Sequence, residues 1–161
     1  MPVIEEGRPA PSFALPDQDG TMHRLKDYAG RPVVLYFYPK DDTPGCTTEA
    51  CAFRDAHLDF GAANAVVLGV SVLDSRSKAK FAKKHGLNFP LLADEDHAAA
   101  DAYGAWQEKS MYGRKYMGVA RITYLIGRDG RVARRWDKVS PSTHASDVLE
   151  AVRNLRTPGN P

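Results

Sequence analysis

The apolar run Val33-Val34-Leu35-Tyr36-Phe37-Tyr38 leads directly into Pro39-Lys40-Asp41-Asp42-Thr43-Pro44-Gly45-Cys46-Thr47-Thr48-Glu49-Ala50-Cys51. This junction constrains the fold more than any other stretch. A continuous run of β-formers marks a central strand buried on both faces, which requires covering layers on each side. Pro39 and Pro44 stiffen the exit from the strand. A helical pattern follows from about Thr47 to Phe60, where Ala50, Phe53, His57 and Phe60 recur at spacings of three and four and share one face. Gly61 reads as its stop. Both cysteines of the chain lie in this junction, and Cys46 sits where a buried strand gives way to a helix.

The rest of the chain builds outward from that strand. Residues 1–32 carry five prolines and the turn Asp17-Gln18-Asp19-Gly20, with room for short strands near Phe13–Leu15 and Met22-His23. Val66 to Val72 reads as a second buried strand. Strand, helix, strand in that order implies a crossover with parallel strands. Ser75 to His85 reads as a helix stopped by Gly86, Phe89 to Leu92 as a short extended piece, and His97 to Tyr103 as a short helix. Residues 104–118 read as a loop with exposed Met111, Tyr112, Tyr116 and Met117. Val119–Ile126 and Val132–Trp136 flank Gly127-Arg128-Asp129-Gly130 as a hairpin. Ala145, Val148, Leu149, Val152 and Leu155 form the apolar stripe of a last helix, capped near Ser142. This order, β-α-β-α, then a hairpin and a final helix, predicts an α/β, thioredoxin-like fold with a central mixed sheet flanked by helices. The first 30 or so residues and residues 75–118 are additions to that core.

A chain of 161 residues fits one domain, 1–161, with a frayed tail at about 156–161. A net charge of +2 is too small a bias to argue for nucleic acid. Lys78, Lys80, Lys83 and Lys84 read as a solvated helix face. No apolar run approaches the ~18 residues of a membrane span, and the N-terminus lacks the pattern of a secretory signal. The expected setting is the cytoplasm. Two cysteines in a chain of this length do not make a disulfide scaffold, and in an intracellular protein such a pair points instead to a catalytic, redox-sensing or metal-binding role. With no nearby histidine pair they also make a poor zinc site.

Unpaired N–H groups and the dipole at a helix start favour a thiolate there. Ionisation by itself achieves little. Lowering a thiol pKa by ~2.5 units raises the thiolate fraction about 30-fold but reduces nucleophilicity about 10- to 20-fold. Other groups must therefore act on the second reactant, by positioning it or by stabilising charge on its leaving group. Thr43, three residues before Cys46, offers a hydroxyl that both donates and accepts. Arg121 offers a fixed cation, because it interrupts the apolar run Val119–Ile126, and an arginine on an inner strand must be paired or functional. Glu49 could steady the first helical turn.

Pro39-x-x-x-Thr43-x-x-Cys46 matches the signature of peroxiredoxins. The longer string from Phe37 through Cys51 resembles their bacterioferritin-comigratory-protein branch, also called the peroxiredoxin Q type. The likeness extends to Phe53-Arg54-Asp55, Phe89-Pro90-Leu91-Leu92-x-Asp94, Tyr112-Gly113-x-Lys115-Tyr116-Met117-Gly118 and Arg121-x-Thr123. Ile122 and Tyr124 depart from the residues common there. The resemblance implies a thiol peroxidase in which Cys46 is the peroxidatic cysteine. Thr43 and Arg121 would bind and polarise the peroxide, and Pro39 would shield the sulfur. Cys51 would resolve the sulfenic acid as a Cys46–Cys51 disulfide, reduced in turn by thioredoxin. No metal, haem or flavin is required, and a monomer is expected. A thioredoxin-like disulfide oxidoreductase is the alternative, although it would use Cys-x-x-Cys. A peroxide-sensing redox protein is another, and it would bind a partner without turning over.

If both cysteines are helical when reduced, their Cα atoms lie roughly 8.6 Å apart, beyond the ~7 Å reach of a disulfide. Residues 44–55 are therefore expected to unwind at least partly on oxidation.

Overall fold

In this computed structural model, residues 2–155 are described. The stretch 156–161, expected to fray, lies outside the described residues. In chain order the elements are β1 (Ala14–Pro16), β2 (Met22–Arg24), a 3-10 turn (Leu25–Tyr28), β3 (Val33–Phe37), α1 (Pro44–Asp55), α2 (His57–Ala62), β4 (Val66–Ser71) and α3 (Ser75–His85). They continue with β5 (Leu91–Ala93), α4 (Ala98–Ala102), β6 (Trp106–Met111), β7 (Arg114–Val119), β8 (Ile122–Ile126), β9 (Val132–Trp136) and α5 (His144–Arg153).

The central sheet has five strands in the order β5-β4-β3-β8-β9. β3 pairs parallel with β4 and antiparallel with β8, so the sheet is mixed, as expected for a thioredoxin-like core. Every residue of β3 is buried, because its side chains feed two cores in alternation. Val34, Tyr36 and Tyr38 face a layer that includes Phe53, Phe60, Phe81 and Val148. Val33, Leu35 and Phe37 face a layer that includes Ala99, Tyr103, Ile122 and Tyr124. Phe53 of α1 stacks on Tyr36 at 4.8 Å between ring centroids. Each fully buried side chain of this size contributes about 1.5–3 kcal/mol, and Phe53 thus fastens the cysteine-bearing helix to the sheet.

Several expectations need correction. The helix read from Thr47 to Phe60 is two helices. α1 starts earlier, at Pro44, and ends at Asp55, and α2 continues to Ala62 past Gly61. The break at Ala56 rotates the second helix, so Phe60 stays buried while His57 turns to solvent. Residues 104–118 are largely a β-hairpin, in which Trp106 pairs with Val119 and Met111 with Arg114. Its turn residues, Tyr112 and Gly113, have φ of 54° and 79°. Positive φ at both positions is the signature of a tight type I′ connection. Neither strand alternates polar with apolar, because most of the ribbon stands clear of the core. The apolar run Val119–Ile126 is divided between β7 and β8, with Ala120 and Arg121 as the link. α5 begins one residue later than expected, with Thr143 as its N-cap and no side-chain capping bond.

The lysine cluster on α3 also differs from expectation. Lys78 is fully buried, while its neighbours Lys80, Lys83 and Lys84 are exposed. Positions 78, 81, 82 and 85 share a face, and that face packs on the sheet. Gly86 does end the helix, at φ 61° in the left-handed region.

Candidate active site

β3 ends at Phe37, and Tyr38 still bonds through its N–H to Val70 O. Half-buried Pro39 then turns the chain out of the sheet. Thr43 takes an extended conformation and becomes the N-cap of α1, with Pro44 at the first helical position, where a fixed φ and a missing N–H are both tolerated. The Thr43 carbonyl receives the N–H of Thr47 at 2.8 Å. Its hydroxyl turns back and donates to Lys40 O at 2.9 Å, which fixes the orientation of the oxygen lone pairs. Cys46 therefore occupies the first turn, with its own N–H and that of Gly45 at the positive end of the helix.

The Cys46 side chain is buried, at 1% exposure. Arg121 reaches it from the link between β7 and β8. Nη2 donates to Cys46 Sγ at 3.4 Å, across a sequence separation of 75. Nη1 donates to Glu49 Oε1 at 2.8 Å. The register explains this approach. β3 pairs with β8 up to Phe37 opposite Ile122, so Arg121 leaves the sheet at the same edge as the cysteine loop. Arg121 is thus not an inner-strand residue. It lies just beyond the strand end, half-exposed on the site side.

Burial works against the arginine charge, but Cys46 and Glu49 outweigh it and raise the Arg121 pKa. Glu49 is fully buried, and burial pushes its carboxyl from 4.5 up to about 7 although Arg121 pulls the other way. Glu49 Oε2 and the hydroxyl of Tyr36 have no hydrogen-bond partner among the described residues. Burial, then Glu49 and then Cys46, hold the Tyr36 phenol neutral, well above its ordinary range. Tyr36 lies over Gly69, where an added Cβ would come within 2.9 Å of the ring.

Glu49 has a larger place here than its sequence position suggested. It sits three residues, about one helical turn, beyond Cys46, and that spacing was the available signal. Gly45 was not singled out, although a Cβ there would lie 3.1 Å from Arg121 Nη2. Its glycine admits the guanidinium. Lys109 on β6 also flanks the site. Burial and the Arg121 charge lower its pKa, while Cys46 opposes them. Cys51 lies on the same helix as Cys46, half-buried, and both thiols are free.

Residues 7–135 match the AhpC/TSA family. The peroxiredoxin Bcp of Bacillus subtilis is 44% identical over 153 residues, spanning 95% of this chain and 98% of its own.

The chain belongs to the peroxiredoxins, in their bacterioferritin-comigratory-protein branch.

The peroxiredoxin Bcp of Escherichia coli is likewise 44% identical, across 92% of this peroxiredoxin and 96% of its own length. Among solved structures, Xanthomonas campestris peroxiredoxin Q superposes with a TM-score of 0.86 at 40% identity, covering 94% of this chain and 96% of that one. The fold is shared more widely, since Mycobacterium tuberculosis AhpC superposes with a TM-score of 0.79 at 21% identity. The thioredoxin-like architecture and the peroxiredoxin activity read from the sequence both stand.

Proposed function

We propose that this peroxiredoxin reduces hydrogen peroxide and alkyl hydroperoxides at Cys46, with Cys51 as the resolving cysteine and thioredoxin as the reductant. The observation that carries the reading is the Arg121 guanidinium, which donates to Cys46 Sγ at 3.4 Å while Glu49 fixes its other arm. The Xanthomonas campestris bacterioferritin comigratory protein, 39% identical, has been studied for alkyl peroxide reduction, and the same substrate class fits here.

In the first step the Cys46 thiolate attacks the distal peroxide oxygen. The S–O bond forms, the O–O bond breaks, and the leaving alkoxide or hydroxide takes a proton from solvent. The Thr43 Oγ, its own proton given to Lys40 O, accepts from the O–H of the attacked oxygen and so orients the peroxide, while Arg121 donates to the peroxide and stabilises the charge that develops on the leaving oxygen. Pro39 keeps bulk water from the sulfur. In the second step the Cys51 thiolate displaces hydroxide from the sulfenic acid, giving the Cys46–Cys51 disulfide and, after protonation, water. A dithiol protein then reduces the disulfide and is itself oxidised. The cycle runs in the cytoplasm on a monomer and needs no further cofactor.

Peroxide consumption coupled to thioredoxin oxidation tests the scheme. Cys46→Ser is expected to abolish turnover. Cys51→Ser is expected to keep one stoichiometric oxidation and lose thioredoxin-linked cycling. Intact mass after one equivalent of peroxide should fall by two hydrogens in the wild type. A persistent gain of one oxygen would remove Cys51 from the scheme.

A further inference from the structure

The loop from β3 to α1 carries two adjacent aspartates, Asp41 and Asp42, ahead of Thr43, and α3 holds both. The Asp41 carboxylate is buried. One oxygen accepts the hydroxyl of Tyr38, and the other accepts Ser77 Oγ at 2.8 Å. Lys78 Nζ lies 3.4 Å and 3.3 Å from the two oxygens and donates to Ser71 Oγ at 2.8 Å. The ammonium also sits 5.4 Å from the centre of the Tyr38 ring. This network joins the catalytic loop to the ends of β3 and β4 and to the buried face of α3. Outside it, Asp42 adopts φ 59°, a conformation that aspartate tolerates but that needs support from its surroundings. Lys84 and His85 bond its carboxylate at 2.8 and 2.9 Å on the surface.

A buried lysine without its counter-ion is strongly unfavourable, because burial disfavours the charge. Burial indeed lowers the Lys78 pKa, and Asp41 opposes that shift. The network is therefore a unit in which each charge needs the other. Its position in the chain gives it a role. Disulfide formation requires α1 to open between Cys46 and Cys51. Opening that ran back into the loop would draw Thr43 and the sulfur away from Arg121.

We propose that Asp41 and Lys78 are positioning residues for the peroxide step: their buried ion pair pins the catalytic loop to α3, so that Thr43 and Cys46 meet Arg121 correctly and return to that place after each opening of α1. This rests on the thiol-peroxidase reading above. Neither residue touches the peroxide, and each acts through the loop backbone.

The test uses the full chain carrying Cys51→Ser, which stops after one oxidation. Added to it are Lys78→Met, Asp41→Asn or, as a control on the exposed pair, Lys84→Ala. The rate of Cys46 oxidation by hydrogen peroxide is followed by quenched intact mass, and alkylation of Cys46 by iodoacetamide is measured in parallel. Alkylation needs an accessible sulfur but no aligned Thr43 or Arg121, so a general loss of thiol reactivity would slow both reactions. Lys78→Met and Asp41→Asn are expected to slow oxidation about tenfold or more while alkylation is unchanged or faster. Lys84→Ala is expected to change oxidation less than about twofold. Oxidation of Lys78→Met at the parent rate, or an equal fall in both reactions, overturns the proposal. Should either single variant fail to fold, the Asp41→Leu/Lys78→Met double variant replaces the pair with apolar groups of similar size, a change that folds tolerate. A double variant that oxidises at the parent rate overturns the proposal equally. If the parent itself is not oxidised, the peroxidase reading falls first, so the two failures are distinguishable.

Discussion

At Gly45 the absence of a side chain leaves room for the Arg121 guanidinium. An added Cβ would come 3.1 Å from Arg121 Nη2, and the guanidinium cannot retreat freely because Glu49 holds its other nitrogen at 2.8 Å. Alanine is a better helix former than glycine by up to about 1 kcal/mol. Gly45→Ala is thus expected to leave thermal stability level or slightly higher while slowing peroxide oxidation of Cys46 by roughly tenfold. Stopped-flow oxidation together with a melting curve checks both halves, and an unchanged rate would mean that the arginine has room to move aside. Arg121→Lys should slow the same step more, on the order of 100-fold, because one ammonium cannot serve sulfur, carboxylate and peroxide in the geometry of a planar fork.

If Cys46 and Cys51 form the proposed disulfide, the element that moves is α1. Cys46 and Cys51 lie on one uninterrupted helix from Pro44 to Asp55. Their Cα separation in such a helix is roughly 8.6 Å, too far for a disulfide. The amides between the cysteines and on toward Asp55 are expected to lose hydrogen-exchange protection when peroxide is added, while those of β3 and β4 keep theirs. Equal protection of residues 46–55 in reduced and oxidised protein would contradict the internal bridge. The build of the helix suits the proposed opening. It is short, its head is stiffened by Pro44, and its second half is tied to the sheet chiefly by Phe53 against Tyr36 and Phe89. The β6–β7 hairpin shows how an element can escape a sequence reading. Hydrophobic periodicity records which side chains are buried, and this ribbon buries few, so strand alternation never develops. Tyr112 enters the left-handed region without the Asn-Gly or Asp-Gly pair that normally announces such a turn.

Across the whole molecule, two buried titratable groups give stability opposite dependences on pH. Glu49 has a folded pKa of about 7 against 4.5. Its protonated form is favoured on folding, so this contribution is complete below pH 4.5 and is lost as pH rises through 7. His144, buried against Phe53 and Trp136 and paired with Thr123 Oγ1 at 2.8 Å, is pushed down from 6.5 to about 4. Its neutral form is favoured on folding, so that contribution is complete above pH 6.5 and is lost as pH falls through 4. Urea unfolding from pH 4 to 7.5 separates them. The stability of Glu49→Gln relative to wild type is expected to rise with pH across 4.5–7, by at most about 3 kcal/mol. The stability of His144→Gln relative to wild type is expected to fall across 4–6.5. A flat difference for Glu49→Gln would show that Arg121 keeps the carboxylate ionised throughout.

The sequence by itself determined what is local. A run of β-formers must be buried, a proline such as Pro39 stiffens the exit from it, and a thiol three residues past Thr43 sits at a helix head, because backbone dihedrals and side-chain periodicity are settled within a few residues. Lys78 shows the limit of that reading. Its spacing with Phe81 and Ala82 was visible, but a lysine among lysines reads as solvated until Asp41, 37 residues away, supplies the counter-charge. Only the tertiary structure decided that pairing, the burial of Glu49, and the approach of Arg121 to a sulfur 75 residues distant. Charges separated along the chain interact through space, and the register of β3 on β8, with Phe37 opposite Ile122, determines which of them meet.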